Sequence, residues 1–369
     1  MDRRKFVASL GLGSAAAALA ACAPSECEDG APAAAGERFR WQMVTTWPKN
    51  FPGLGTGAEN FAKLAGLLSG GRLQIRVHGA GELVPAMEVF DAVSAGSAEM
   101  GHGAAYYWRG KHPAAPFFTS VPFGMNAQEM NSWLAHGGGQ ALWDELYAGF
   151  NLKPFACGNT GVQMAGWFNR EINSISDLRG LKMRIPGIGG SVFRRVGGVP
   201  VQLAGGEVFT ALQTGVIDAA EWVGPWNDMA FGFQRITKNY YYPGWQEPGP
   251  TLELIINREK WQQLPEDLQR VVTVASRAIN QDMLDEYTAR NNDALNELVE
   301  KHDVQLKRLP DDVLAALHQA SIEEVEEIAA SGEFAKRVRD SYRAFEKKAA
   351  AWHAISEQPY YEIRGKLGG

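Results

Sequence analysis

Cysteine is scarce: Cys22, Cys27 and Cys157 are the only three in 369 residues. That is too few, and too scattered, for a disulfide scaffold or a cysteine-rich zinc site. No Gly-x-Ser-x-Gly elbow and no His-Glu-x-x-His pair occurs, which removes the signatures of serine hydrolases and zincins. The seven histidines, His102 between two glycines among them, lack paired metal-ligand spacing. Gly53-Leu-Gly-Thr-Gly57 and Gly187-Ile-Gly-Gly190 fail to complete a dinucleotide fingerprint. A basic excess is missing too. The formal charge is −6, and it becomes −8 once residues 1–21, with three basic groups and one acid, are set aside. This argues against a nucleic-acid surface.

What is present begins with an address. Arg3 and Arg4 precede Phe6 and a weakly apolar Ala/Gly/Leu stretch, a twin-arginine export pattern. The stretch is too short and too rich in Gly and Ala for a permanent span. It ends Leu19-Ala-Ala-Cys22, similar to a lipobox, so residues 1–21 read as a leader and Cys22 as a lipidation site. Residues 22–37 are Ala, Pro, Gly and acids and read as a flexible tether. The protein is expected in the periplasm, touching the membrane only through that lipid.

From Phe39 the pattern alternates. Strands are expected over Phe39–Thr45, Leu73–His78 and Met100–Ala104, with helices over Ala58–Leu68 and Pro85–Ala95 between them. The pattern resumes with strands at Leu181–Ile185, Pro200–Leu203, Val216–Trp222 and Leu252–Asn257, and a helix at Glu207–Thr214. After Pro265 the chain reads as helical to about residue 356, broken at Leu309-Pro310. The fold class is therefore α/β, two blocks with a long C-terminal helical region. In that region Val338, Tyr342, Phe345, Ala349 and Trp352 form a short heptad seam, open either to packing on its own lobe or to a second subunit.

Four polar residues stand out. Arg184 follows the apolar face 181, 183, 185 at the end of a strand, where a guanidinium either grips a carboxylate or sits solvated on the surface. Glu221, in the apolar run Val216–Val223, requires a proton, a cation or a donor if buried. Gln163 and Glu247 lie in aromatic, glycine-rich segments and carry oxygens suited to a hard cation, or satisfied by local backbone amides. Trp41, Trp47, Tyr107, Trp222 and Trp245 fall in the same segments, the mix of apolar wall and few polar groups that small-molecule sites have.

Pro85–Gly101, Ile175–Pro186 and Glu207–Asp218 together resemble the DctP-type substrate-binding proteins of TRAP transporters. The resemblance implies a type II periplasmic-binding fold: lobe I over 38–161 plus 250–289, lobe II over 162–249 plus 290–369. Gly158–Phe168, Glu221–Met229 and Tyr240–Pro248 are similar to the dimeric subgroup that binds 2-oxo acids or lactate with a metal ion. By that resemblance Arg184 grips the carboxylate, and Gln163, Glu221, the Trp222 carbonyl and Glu247 hold a calcium or sodium ion. Tyr107 and Asn159 contact the ligand, and Trp47 forms a wall. Gln246 stands where the subgroup would place another aromatic. The implied function is non-enzymatic capture of a small monocarboxylate for TRAP membrane subunits, by a homodimer joined through the C-terminal helix. A sulfonate or larger acid as ligand, or a secreted enzyme, are the competing readings.

Overall fold

The computed structural model describes residues 36–368, and the leader, Cys22, Cys27 and most of the tether lie outside them. Bulky residues alternating with polar ones make β1 (Phe39–Thr45) and β2 (Leu73–His78), joined by helix α1 (Leu54–Leu68), whose buried face is Leu54, Ala58, Phe61, Ala62 and Ala65. A single 3-10 turn, Ala86–Glu88, leads into the short α2 (Val89–Ser94) and β3 (Met100–Gly103). The expected helix from Pro85 to Ala95 is thus only half α-helical. Two further helices, α3 (Ala127–His136) and α4 (Gly139–Ala148), precede β4 (Leu152–Asn159). The first is closed by a capping box between Asn126 and Glu129.

The chain then builds a second sheet from β5 (Gly166–Phe168), β6 (Lys182–Arg184), β7 (Val199–Val201), β8 (Ala219–Ala220) and β9 (Asn239–Tyr242). Between them lie α5 (Gly187–Arg195), α6 (Gly205–Gln213) and α7 (Pro225–Phe231). It returns to the first sheet with β10 (Thr251–Asn257), followed by α8 (Arg258–Gln263) and the 37-residue α9 (Glu266–His302). The tail holds β11 (Gln305–Arg308), α10 (Asp311–Ala330), α11 (Glu333–His353) and α12 (Glu357–Lys366).

The first sheet runs β2-β1-β3-β10-β4 and the second β11-β9-β5-β8-β6-β7. In the first, β1 is parallel to β2 and β3, while β10 is antiparallel to β3 and β4. In the second, β6 is parallel to β7 and β8, and β5 is antiparallel to β8 and β9. The chain passes between the sheets after β4, after β9 and through α9. That helix serves both: Asn280 accepts from Gly158 N–H at 3.1 Å, and Tyr287 donates to Asn227 on α7 at 2.7 Å.

Three expectations need correction. The strand expected over Val216–Trp222 is ordered only at Ala219–Ala220, because from Glu221 onward the chain leaves the ladder at the sheet's end. The tail is interrupted by β11, which pairs with β9 but is half exposed on both faces and so shows no hydrophobic period. The heptad seam is divided. Val338 and Tyr342 are buried in their own chain, with Tyr342 OH accepting from Met125 N–H at 2.8 Å, and Phe345 rests against Gly137. Trp352 stands 60% exposed.

Candidate functional site

Strand β6 delivers Arg184 to its carboxyl end, beside β8 in parallel register, so the chain beyond β8 runs alongside it. The Arg184 carbonyl accepts from Glu221 N–H at 3.2 Å. Its Nη1 donates to the Glu221 carbonyl at 3.1 Å and also to the Glu221 carboxylate, and Nη2 donates to Tyr107 OH at 3.3 Å. The guanidinium lies 4.8 Å from the Trp222 ring centroid, a cation–π contact. Only 1% of Arg184 is exposed, so the solvated-surface alternative fails. Its Nε has no partner.

Two further carboxyl-bearing or amide side chains converge there. Gly244 carries the segment after β9 against Gln163, so closely that a Cβ at Gly244 would sit 2.0 Å from the Gln163 carbonyl oxygen. The backbones are tied by Gln163 N–H to the Glu247 carbonyl at 3.1 Å. The Gln163 amide nitrogen donates to Thr160 Oγ1 at 3.2 Å, which leaves its Oε1 free. Gln163 Oε1, Glu221 Oε2 and Glu247 Oε2 are all buried without a hydrogen-bond partner. Unpaired buried oxygens of this kind are costly, and three in one place need an explanation.

Electrostatics sharpen the point. Burial pushes the Glu221 carboxyl up to about 7, against the pull of Arg184. Burial and the neighbouring Glu221 charge hold Glu247 well above the usual carboxylate range. Burial opposes the Arg184 charge, but the surrounding acids and phenols outweigh it and keep the guanidinium protonated. One arginine thus faces two acids. Among the described residues no three His, Cys, Asp or Glu side chains form a metal-binding group. A cation here would rely on two carboxylates, an amide oxygen and a backbone carbonyl, a set that fits calcium or sodium and not a soft metal.

Trp47 is buried in the wall and donates from Nε1 to His102 Nδ1 at 2.8 Å, while the other ring nitrogen of His102 meets the Cys157 carbonyl at 3.0 Å. Burial lowers His102 to about 4, so it is a neutral packing residue. Tyr107 and Trp222 line the cavity with Trp47, Gln163 and Arg184. Asn159 is buried, but its amide is spent on the Gly249 carbonyl and on Gly161 N–H. The cavity that these walls leave is about 10 Å³, on the scale of one water. Tyr106, beside Tyr107 in the same aromatic segment, also lines it, as do Thr160 and Leu252, which escaped the sequence reading because nothing in their local pattern differs from core. Gln246 is fully buried, donating to the Met164 carbonyl at 2.8 Å with its Oε1 unpaired.

Known proteins share this arrangement of elements. The chain is 44% identical over 366 residues, 98% of both chains, to the monocarboxylate 2-oxoacid-binding periplasmic protein of Nostoc sp.. A TRAP periplasmic solute-binding protein of Pseudoalteromonas atlantica, solved with sodium and pyruvate bound, superposes with a TM-score of 0.86 at 40% identity, covering 88% of this chain and 99% of that one. One from Colwellia psychrerythraea, with calcium and pyruvate, gives 0.86 and 40%, covering 89% and 100%. A Bordetella bronchiseptica TRAP solute-binding protein, a dimer with calcium and picolinate in one site, gives 0.88 and 36%, covering 90% and 98%. The profile described as bacterial extracellular solute-binding protein, family 7, matches residues 43–331. With its two mixed α/β sheets and long C-terminal helices, the chain belongs to this DctP family of extracellular solute-binding proteins.

Proposed function

We propose that the protein captures a small 2-oxo or 2-hydroxy monocarboxylate, such as pyruvate or lactate, together with a calcium or sodium ion, and hands it to the membrane subunits of a TRAP transporter. The observation that carries this reading is the set of unpaired buried oxygens on Gln163, Glu221 and Glu247, facing a buried arginine with an unpaired Nε. Gln163, Glu221, the Trp222 carbonyl and Glu247 would hold the cation. When bound, it supplies positive charge between the two glutamates and the incoming carboxylate, and open positions for the acid's oxygens. Arg184 supplies the planar fork that orients the carboxylate, and Tyr107 steadies that fork. Trp47 and Trp222 wall the cavity against water.

The two sheets are the cores of two lobes divided near residues 161/162, 249/250 and 289/290, with the site between them. Export by the twin-arginine leader and lipidation at Cys22 put the protein in the periplasm, held by a lipid anchor. No described helix is long and apolar enough to cross a membrane. A homodimer through the C-terminal helices is supported by Trp352, Ile355, Tyr360, Tyr361 and Ile363, each more than half exposed on α11, α12 or the turn between them. Native mass spectrometry of the purified chain tests the reading. It should find a trapped small acid with one calcium or sodium ion; a chain that carries neither and gains no mass with pyruvate and calcium contradicts it.

A further inference from the structure

Asp228, on α7, is a buried acid that neither touches the cavity nor pairs with a cation. Its carboxylate is surrounded by donors, the Gly224 N–H among them. Oδ2 accepts from Trp167 Nε1 at 3.0 Å and from Tyr240 OH at 2.8 Å, and Oδ1 accepts from Val223 N–H at 3.2 Å. The Val223 N–H belongs to the same planar peptide unit as the Trp222 carbonyl. That peptide is trans, as the only cis bond among the described residues is Tyr242-Pro243. An N–H aimed at Asp228 therefore aims the Trp222 carbonyl in the opposite direction. None of the hydrogen bonds of the described residues ends on that carbonyl. The far side of Val223 is fixed as well, since its carbonyl accepts from Met164 N–H at 3.0 Å, next to Gln163.

We propose that Asp228 is a positioning residue for the cation: its carboxylate locks the Trp222–Val223 peptide so that the Trp222 carbonyl is held free as a ligand. The inference rests on the cation reading above. Trp167 on β5 and Tyr240 on β9 stack with ring centroids 4.1 Å apart and pin the far oxygen, so Asp228 transmits the rigidity of the second sheet to the peptide. A charged acceptor on the N–H also polarises the peptide and makes its carbonyl a stronger donor to a cation. Partners of metal ligands act in this way, and losing one typically costs about 10- to 100-fold in metal affinity.

The substitution Asp228→Asn separates this role from a merely structural one. Its single oxygen is claimed by the two donors Trp167 and Tyr240, which turns the new NH2 toward Val223 N–H and pushes the peptide away. Asp228→Ala leaves all of these donors unpaired and opens a void, so it costs more stability. A structural role ranks Ala as the more damaging change in every assay. Positioning ranks Asn at least equal to Ala for cation affinity, although Asn unfolds at the higher temperature. The experiment titrates calcium into the metal-stripped full chain with pyruvate at a fixed saturating level, and records thermal unfolding without metal. Core variant Val338→Ala, remote from the site, serves as the control for lost stability, and Glu221→Gln as the control for the cation reading.

The expected result is a loss of about 10- to 100-fold in calcium affinity for Asp228→Asn, with Val338→Ala unchanged. Calcium affinity within twofold of wild type in Asp228→Asn, while Glu221→Gln loses it, overturns the positioning role alone. Unchanged affinity in Glu221→Gln overturns the cation reading and the inference with it. Should both Asp228 variants fail to fold, calcium binding by Tyr240→Phe, which removes one of the two anchors of Oδ2, decides: an affinity loss of fivefold or more supports the role, and none overturns it.

Discussion

Replacing Arg184 with lysine keeps the positive charge and removes the fork. Arg184→Ala is the poorer experiment, because it strips Glu221 of its counter-charge in a site where neither residue is more than 1% exposed. Removing one partner of a buried pair costs about 3–5 kcal/mol of stability, so lost binding would be hard to separate from damage to the fold. Lysine can still reach the Glu221 carboxylate. Its single nitrogen cannot donate to Tyr107 and Glu221 and also replace the coplanar nitrogens, Nε among them, that Arg184 offers a ligand. Hydrogen bonds to charged groups contribute about 1.5–3 kcal/mol each. With partial compensation by the ammonium, we expect a loss of about 2–3 kcal/mol, or about 30- to 150-fold in Kd. Calorimetry with pyruvate in the presence of calcium measures it, with a thermal melt to show that the fold is intact. A folded Arg184→Lys protein that binds pyruvate within about threefold of wild type would refute arginine recognition of the carboxylate.

Other expectations follow from the same geometry. Burial raises Glu221 from 4.5 to about 7, so the folded chain holds a proton that the unfolded chain releases, and cation-free stability should fall as pH rises through that window. Glu221→Gln should remove its share of that slope in urea titrations at pH 5 and 8 while abolishing calcium binding; an unchanged slope would contradict the assignment, even though Glu247, Glu253 and Asp228, also raised by burial, keep the remainder. Trp352→Asp with Ile363→Asp should convert a dimer to monomers that still bind ligand, as read by analytical ultracentrifugation; Phe345 is left untouched because it packs within its own chain. Changing Arg3 and Arg4 to lysine should stop export, and Cys22→Ala should release the protein in soluble form on fractionation; a wild-type chain already soluble, beginning beyond Cys22, would sink lipidation.

How much of this was legible in the sequence depends on how local the cause is. Strands β1, β2 and β10 could be read at nearly their observed limits because alternation or a continuous apolar run marks a sheet against a core. Arg184 could be placed at a strand end by the parity of its neighbours, and the structure adds that it is sealed. β8 and β11 are not legible in the sequence, because two to four residues carry no period and pairing with a distant strand decides them. Glu221 was visible as a lone acid in an apolar run. Its unpaired oxygen beside those of Gln163 and Glu247 was not, since that depends on Gly244 pressing one loop against another. Asp228 had no signal: an acid in the first turn of a helix is ordinary, and only the donors gathered from β5 and β9 reveal it.

The central claim is that acid and cation bind as one unit, because two buried glutamates can be ionised beside a ligand carboxylate and a single arginine only when a cation supplies further positive charge. Isothermal titration of pyruvate into chain stripped by chelation, in sodium-free buffer, tests it directly against the same chain with calcium restored. The account predicts no measurable binding, or affinity at least 100-fold weaker, without the cation, and full recovery with calcium or a high concentration of sodium. Equal affinity in both titrations, with elemental analysis finding no retained metal, would contradict it.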